Sequence, residues 1–248
     1  MSKKSRRNTA PSSPSATNIQ PLHSGTGWHP IEEDLEAHRD KKYLKTVKPR
    51  SKRQEELMSA IKSYNLTMAI GPAGTGKTYL AISAAVEALE KGEVDRIILS
   101  RPAMEAGESL GYLPGDMQEK MAPYLRPLYD ALGDRMGGKR VRQLLDDGTI
   151  EIAPVGFMRG RTLNNAFVVI DEAQNCTYGQ LKMLLSRLGW HSRMVVTGDP
   201  EQSDLLDGMS GLADVAKRFE PLKNIAVIYL KQDDIVRHPL VAEMLGVL

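Results

Sequence analysis

Eight consecutive residues, Gly71, Pro72, Ala73, Gly74, Thr75, Gly76, Lys77 and Thr78, satisfy the pattern G-x-x-x-x-G-K-[ST]. Glycines at these positions let backbone N–H groups curl around phosphate oxygens, and a helix beginning at the end of the run adds its positive dipole. In that geometry Lys77 reaches the β- and γ-phosphates and the Thr78 hydroxyl binds Mg²⁺. A second acidic station follows about ninety residues later, where the apolar run Phe167–Ile170 ends in Asp171 and Glu172. Adjacent residues project in different directions. Asp171 is therefore expected in the metal shell and Glu172 beside an attacking water, which it polarises. A third apolar run ends at Asp199-Pro200-Glu201-Gln202. Gln202 either contacts the γ-phosphate or the attacking water, or it completes a capping box begun by Asp199.

The remaining polar candidates are individually weaker. Gln54 precedes the first strand and is placed to hydrogen-bond an adenine, or is a surface glutamine. Arg101-Pro102 ends the second strand, and Arg159-Gly160-Arg161 precedes the acidic station. Each has nucleic acid, a neighbouring subunit or solvent as its candidate contact. Arg237, in Arg237-His238-Pro239, is a candidate arginine finger. No Cys/His cluster has metal-ligand spacing. An Asn-Lys-x-Asp signature for guanine is absent, which favours ATP over GTP.

Positioning these groups requires a particular set of elements. Short apolar runs at Leu66–Ile70, Arg96–Arg101, Ile150–Val155, Phe167–Asp171, Met194–Gly198 and Ile225–Leu230 alternate with helical periods. Continuous apolar runs predict strands buried on both faces, the pattern of a mostly parallel sheet flanked by helical crossovers in a single α/β domain. The helix after Lys77 repeats Leu80, Ala81, Ala84, Ala85, Ala88 and Leu89 and stops at Gly92. Thr177 with Gln180 predicts a capping box, and Asp199-Pro200 predicts the start of a further helix. In a parallel sheet the ligand crevice lies beyond the carboxyl ends of the strands, where all three stations fall.

The chain has 248 residues, 41% hydrophobic and 26% charged, with no apolar run long enough to span a membrane. Residues 1–53 hold 12 Lys/Arg against 5 Asp/Glu, whereas the remainder holds 21 against 26. A basic arm thus precedes a mildly acidic body. Residues 1–27 are rich in Ser, Pro, Thr and Asn and are expected to be disordered, with a short helix expected near Ile31–Arg39. The arm spans residues 1–50, and the domain spans 53–248. A Ser/Pro-rich stretch stands where a signal peptide places its apolar region. One cysteine, Cys176, builds no disulfide framework, in keeping with a cytoplasmic setting.

From about Gln54 onward the chain resembles the PhoH family of P-loop ATPases. The resemblance is carried by Gly71–Thr78 with Tyr79-Leu80-Ala81, Arg101-Pro102-Ala103, Leu110-Gly111-Tyr112-Leu113-Pro114-Gly115-Asp116, Tyr124–Leu132, Phe157–Leu163, Asp171–Asn175 and Val236–Leu240. It implies a single RecA-like core similar to the first motor domain of superfamily 1 helicases. It also implies an ATPase acting on RNA or single-stranded nucleic acid as a homo-oligomer, a ring and expected to be hexameric. Gln54 would then occupy a Q-motif position, Gln202 the third helicase motif, and Arg237 would reach a neighbouring subunit's ATP. The ribonuclease domain of some relatives is not expected here, and the stand-alone form resembles those of bacteriophages. Pro200 departs from the family pattern and leaves the geometry of Gln202 open. A nucleotide-switched binding or assembly protein without motor activity is the alternative. A small-molecule kinase with Gly107–Gly138 as its lid is a third reading.

Overall fold

The computed structural model describes residues 47–102, 117–206 and 208–236, with side chains of 117–123 not described. The first 46 residues, with the helix expected near Ile31–Arg39, lie outside the described residues. So do Arg237, the expected C-terminal helix and residues 107–116 of the Gly107–Gly138 segment.

Ser51 opens helix α1 (Lys52–Ser63), its hydroxyl accepting the Gln54 N–H. The chain then alternates strand and helix: β1 (Leu66–Ile70), α2 (Lys77–Glu90), β2 (Arg96–Arg101), α3 (Met117–Met136), α4 (Gly138–Asp146) and β3 (Ile150–Pro154). After β4 (Ala166–Ile170) come α5 (Tyr178–Leu185), β5 (Arg193–Gly198), α6 (Leu212–Phe219) and β6 (Ile225–Tyr229). The strands form one six-stranded sheet in the order β3-β2-β4-β5-β1-β6, every described pairing being parallel.

Both faces of the sheet are covered, which is why the strand sequences read as unbroken apolar runs. Phe167 and Val169 of β4 face one layer with Leu57 of α1, Leu80 and Val86 of α2 and Leu128 of α3. Ala166, Val168 and Ile170 face the other, with Leu181 of α5 and Leu212 and Val215 of α6. The result is a three-layer α/β/α domain.

Helix ends follow their local chemistry. Gly92 (φ 68°) ends α2 in a Schellman arrangement, its N–H bonding the Leu89 carbonyl while Glu93 N–H bonds Ala88. Thr177 and Gln180 form the expected capping box. One expectation fails. Asp199-Pro200 opens only the short 3-10 turn Pro200–Gln202, and the next helix, α6, begins ten residues further on at Leu212. The Asp199 carboxylate caps the Glu201 N–H, but the chain is then drawn away. Ser203 Oγ donates to the Gln174 carbonyl, and Asp204 N–H to Asn175 Oδ1. Five strand limits also shift by one residue: Val155 begins a 3-10 turn after β3, β4 starts at Ala166 and leaves Asp171 just beyond its end, β5 starts at Arg193, and β6 ends at Tyr229.

Candidate nucleotide site

The order β2-β4-β5-β1 places the carboxyl ends of four strands side by side, and most polar groups of the site hang from them, with Gln54 reaching in from α1. At the end of β1 the ladder continues one residue, Gly71 N–H bonding the Gly198 carbonyl at 3.1 Å. Gly71 has φ 144°, and a Cβ there would collide with the Leu230 carbonyl oxygen. Gly74 and Gly76 (φ 80° and 81°) carry the loop through left-handed conformations that glycine adopts without strain. Gly76 is the N-cap of α2, and among the described residues no side chain caps that helix, whose first N–H groups are of the kind that suits an anion.

Lys77 curls back over this loop, its ammonium donating to the carbonyls of Gly71 (2.6 Å) and Pro72 (2.8 Å). Burial lowers its pKa below the usual lysine value, opposed by the nearby charges of Asp199, Glu172 and Asp171 in that order. Thr75 Oγ1 donates to the Pro72 carbonyl. Gln54 braces the loop from α1: its amide nitrogen donates to the Thr75 carbonyl (3.0 Å), and its oxygen accepts the Arg50 N–H (2.8 Å). Gln54 thus lies in the first turn of α1, beside Gly76, and is a buried bridge rather than a surface residue. Val236 N–H bonds the Gly74 carbonyl at 2.9 Å, so the chain leading to Arg237 passes the same loop.

Across the crevice, Thr78 Oγ1 donates to Asp171 Oδ1 at 2.6 Å, uniting the first two sequence stations. Thr197, wholly buried at the end of β5, donates to the same oxygen at 2.6 Å. Glu172 sits in a left-handed conformation (φ 52°, ψ 42°). Its Oε1 lies 3.1 Å from Arg101 Nη2, and its Oε2 accepts from Gln174 Nε2 at 2.6 Å. Gln174 also accepts the Asp199 N–H and donates to the Gln202 carbonyl. Gln202 itself is exposed, on the rim of a polar cleft of about 410 Å³ lined by Arg101, Glu172, Gln174, Ser203 and Asp204 among others. The structure therefore brings Gln54, the phosphate loop, Arg101, Asp171 and Glu172 to one end of the sheet, with Gln202 at its edge.

Four residues at the site carry roles that spacing did not assign: Arg101, Gln174, Thr197 and Asp199. Arg161, by contrast, is taken up by Glu151 of β3 in a two-pronged ion pair away from the crevice. Thr197 follows the β4–β5 register, in which Ile170 pairs with Val196, so the next residue meets Asp171. That signal exists only once strand order is known.

The donor set suits a hard divalent cation: a buried carboxylate (Asp171) and a hydroxyl (Thr78) in contact, both oxygen ligands. Asp199 adds a buried carboxylate oxygen, Oδ2, with no hydrogen-bond partner among the described residues.

A profile of the family described as PhoH-like protein matches residues 46–248. The PhoH-like protein of Bacillus subtilis (strain 168) is 53% identical over 202 residues, covering 81% of this chain and 63% of that protein. Protein PhoH of Escherichia coli (strain K12) is 44% identical over 205 residues, covering 82% and 58% respectively. The chain therefore spans about three fifths of the length of these curated relatives. Among solved structures, the large terminase of a thermophilic bacteriophage is similar at a TM-score of 0.53 and 13% identity. The likeness covers 80% of this chain and 49% of the terminase chain, and shows a shared fold.

Proposed function

Because the chain belongs to the PhoH-like family, we propose that its crevice binds ATP with Mg²⁺ and hydrolyses it. The observation that carries this reading is the Thr78–Asp171 contact, which joins the phosphate loop to the acidic end of β4. Thr78 and Asp171 would hold the cation, which neutralises developing charge on the β- and γ-phosphate oxygens. Lys77 leaves the Gly71 and Pro72 carbonyls for those oxygens, and the unclaimed N–H groups at the start of α2 complete the cradle. Glu172, freed from its present partners, orients a water and takes its proton. The water oxygen bonds to the γ-phosphorus as the bond to ADP breaks. Gln202, on the cleft rim, monitors the γ-phosphate. Gln54 links adenine recognition to the loop, since its amide nitrogen has a second hydrogen beyond the one given to Thr75.

RNA or single-stranded nucleic acid is the proposed partner, with a ring of subunits, hexameric by the family resemblance, in which Arg237 reaches the neighbouring ATP. The support is that resemblance together with the single RecA-like core, which needs a second core beside it to clamp a strand. The buried free thiol of Cys176 suits a cytoplasmic setting. Among the described residues no helix is long and apolar enough to cross a membrane.

A second reading, a nucleotide-switched assembly protein, is favoured by one observation: Glu172 is bonded at both oxygens by Arg101 and Gln174, a state in which it activates no water. ATP turnover measured against protein concentration, with and without single-stranded RNA and alongside sedimentation, separates the two. Turnover rising with assembly and again with RNA supports the motor, whereas slow turnover by a monomer indifferent to RNA supports the switch.

A further inference from the structure

Strand β2 ends in Arg101, and its neighbour β4 runs on into Asp171 and Glu172. Asp171 N–H bonds the Ser100 carbonyl at 2.8 Å, so the backbone ladder sets the arginine against both acids. Arg101 Nη2 stands 3.1 Å from Glu172 Oε1, and Nη1 stands 3.7 Å from Asp171 Oδ2. The remaining carboxylate oxygens go to Thr78 and Thr197 on Asp171 and to Gln174 on Glu172. One guanidinium, its side chain only 19% exposed, therefore lies against both carboxylates, while the Lys77 ammonium acts on them through space. A divalent cation on Thr78 and Asp171 would be a competing counter-charge for the same carboxylates. Two cations within a few ångströms in a partly buried site repel each other strongly.

We infer that Arg101 is a positioning residue that exchanges with the divalent cation: it holds Glu172 fully bonded until the cation takes over the charge of Asp171. Glu172 then becomes available to water only in the cation-loaded site, which couples metal arrival to activation of the base. The inference rests on reading this crevice as a metal–nucleotide site. It gives Arg101 an inward role at the carboxylates.

The test is calorimetric titration of Mn²⁺ into the full chain saturated with ADP, for wild type, Arg101→Gln and Arg101→Lys. Removing the competing charge in Arg101→Gln is expected to tighten Mn²⁺ binding about three- to tenfold. Arg101→Lys, which keeps a positive charge, is expected to stay near wild type. In EDTA the Arg101→Gln chain should melt below wild type, and Mn²⁺ with ADP should narrow the gap. A folded Arg101→Gln chain that binds Mn²⁺ no tighter than wild type overturns the inference and leaves the proposed function standing. A wild-type chain that binds neither Mn²⁺ nor ADP overturns both. Should Arg101→Gln not fold, the wild type decides by nuclear magnetic resonance. Solvent exchange of the Arg101 guanidinium hydrogens should be faster with Mg²⁺ and ADP than with ADP in EDTA, and unchanged exchange overturns the inference.

Discussion

The Lys77 ammonium donates to two carbonyls of its own loop while three carboxylates, Asp199, Glu172 and Asp171, act on it through space. Burial is the larger effect and lowers its pKa. The sign follows: folding disfavours the charged form, so Lys77 costs stability wherever it is protonated in the folded state. That cost is relieved as pH rises through the lowered value toward the unfolded lysine value of ~10.4. ADP affinity in the absence of metal is accordingly expected to fall at a lower pH than a solvent-exposed lysine would dictate. Equilibrium dialysis from neutral to alkaline pH checks this, and Lys77→Ala should flatten the profile. Thr197 makes a separate prediction. Its hydroxyl fixes the oxygen of Asp171 that also meets Thr78, so Thr197→Val should weaken Mn²⁺ binding about 10- to 100-fold, as losing a metal ligand's supporting bond does. A calorimetric titration that shows no weakening would remove Thr197 from the site. At this scale the phosphate loop and Asp171-Glu172 were readable from residue type and spacing alone. Arg101 was not: its partners lie seventy and seventy-one positions away, on a strand whose adjacency no local pattern encodes.

Strand β4 is the element that sets the position of both acids. Phe167 is wholly buried on the α1–α2–α3 face while Val168 and Ile170 fill the opposite layer, so the strand is fixed from both sides. Phe167→Ala should cost about 3–5 kcal/mol of stability, measured by chemical denaturation. Gly198, closing β5, has no room for a side chain: a Cβ there would meet Leu212 Cδ2 at 2.5 Å and Gln174 Oε1 at 2.8 Å. Gly198→Ala should therefore destabilise by about 1–3 kcal/mol and disturb the Gln174 bond to Asp199 N–H. Elements were readable where local signal and burial agree. The continuous apolar runs marked all six strands to within a residue, and the Thr177–Gln180 cap marked α5. Agreement broke after β5. Asp199-Pro200 has the local chemistry of a helix start, but bonds from Ser203 and Asp204 to Gln174 and Asn175, nearly thirty residues earlier, pull the chain out of the helix.

For the molecule as a whole, strand order converts separate sequence stations into one crevice. Chain order alone puts β2, β4, β5 and β1 apart; the sheet makes them consecutive, so Arg101, Asp171, Asp199 and the phosphate loop share one edge. Residues from α1 and from the segment after β6 close on the loop from either side through Gln54 and Val236. The loop is thereby tied to both ends of the described domain. This edge is proposed as a metal-dependent ATP hydrolysis site with Glu172 as its base. Its most direct test is phosphate release from ATP by the wild type and Glu172→Gln, with and without EDTA, together with ATP affinity for each. EDTA is expected to abolish turnover, and Glu172→Gln to lower it about 10²- to 10⁴-fold while ATP affinity is retained. Turnover indifferent to EDTA, or a Glu172→Gln chain that hydrolyses ATP at the wild-type rate, would contradict it.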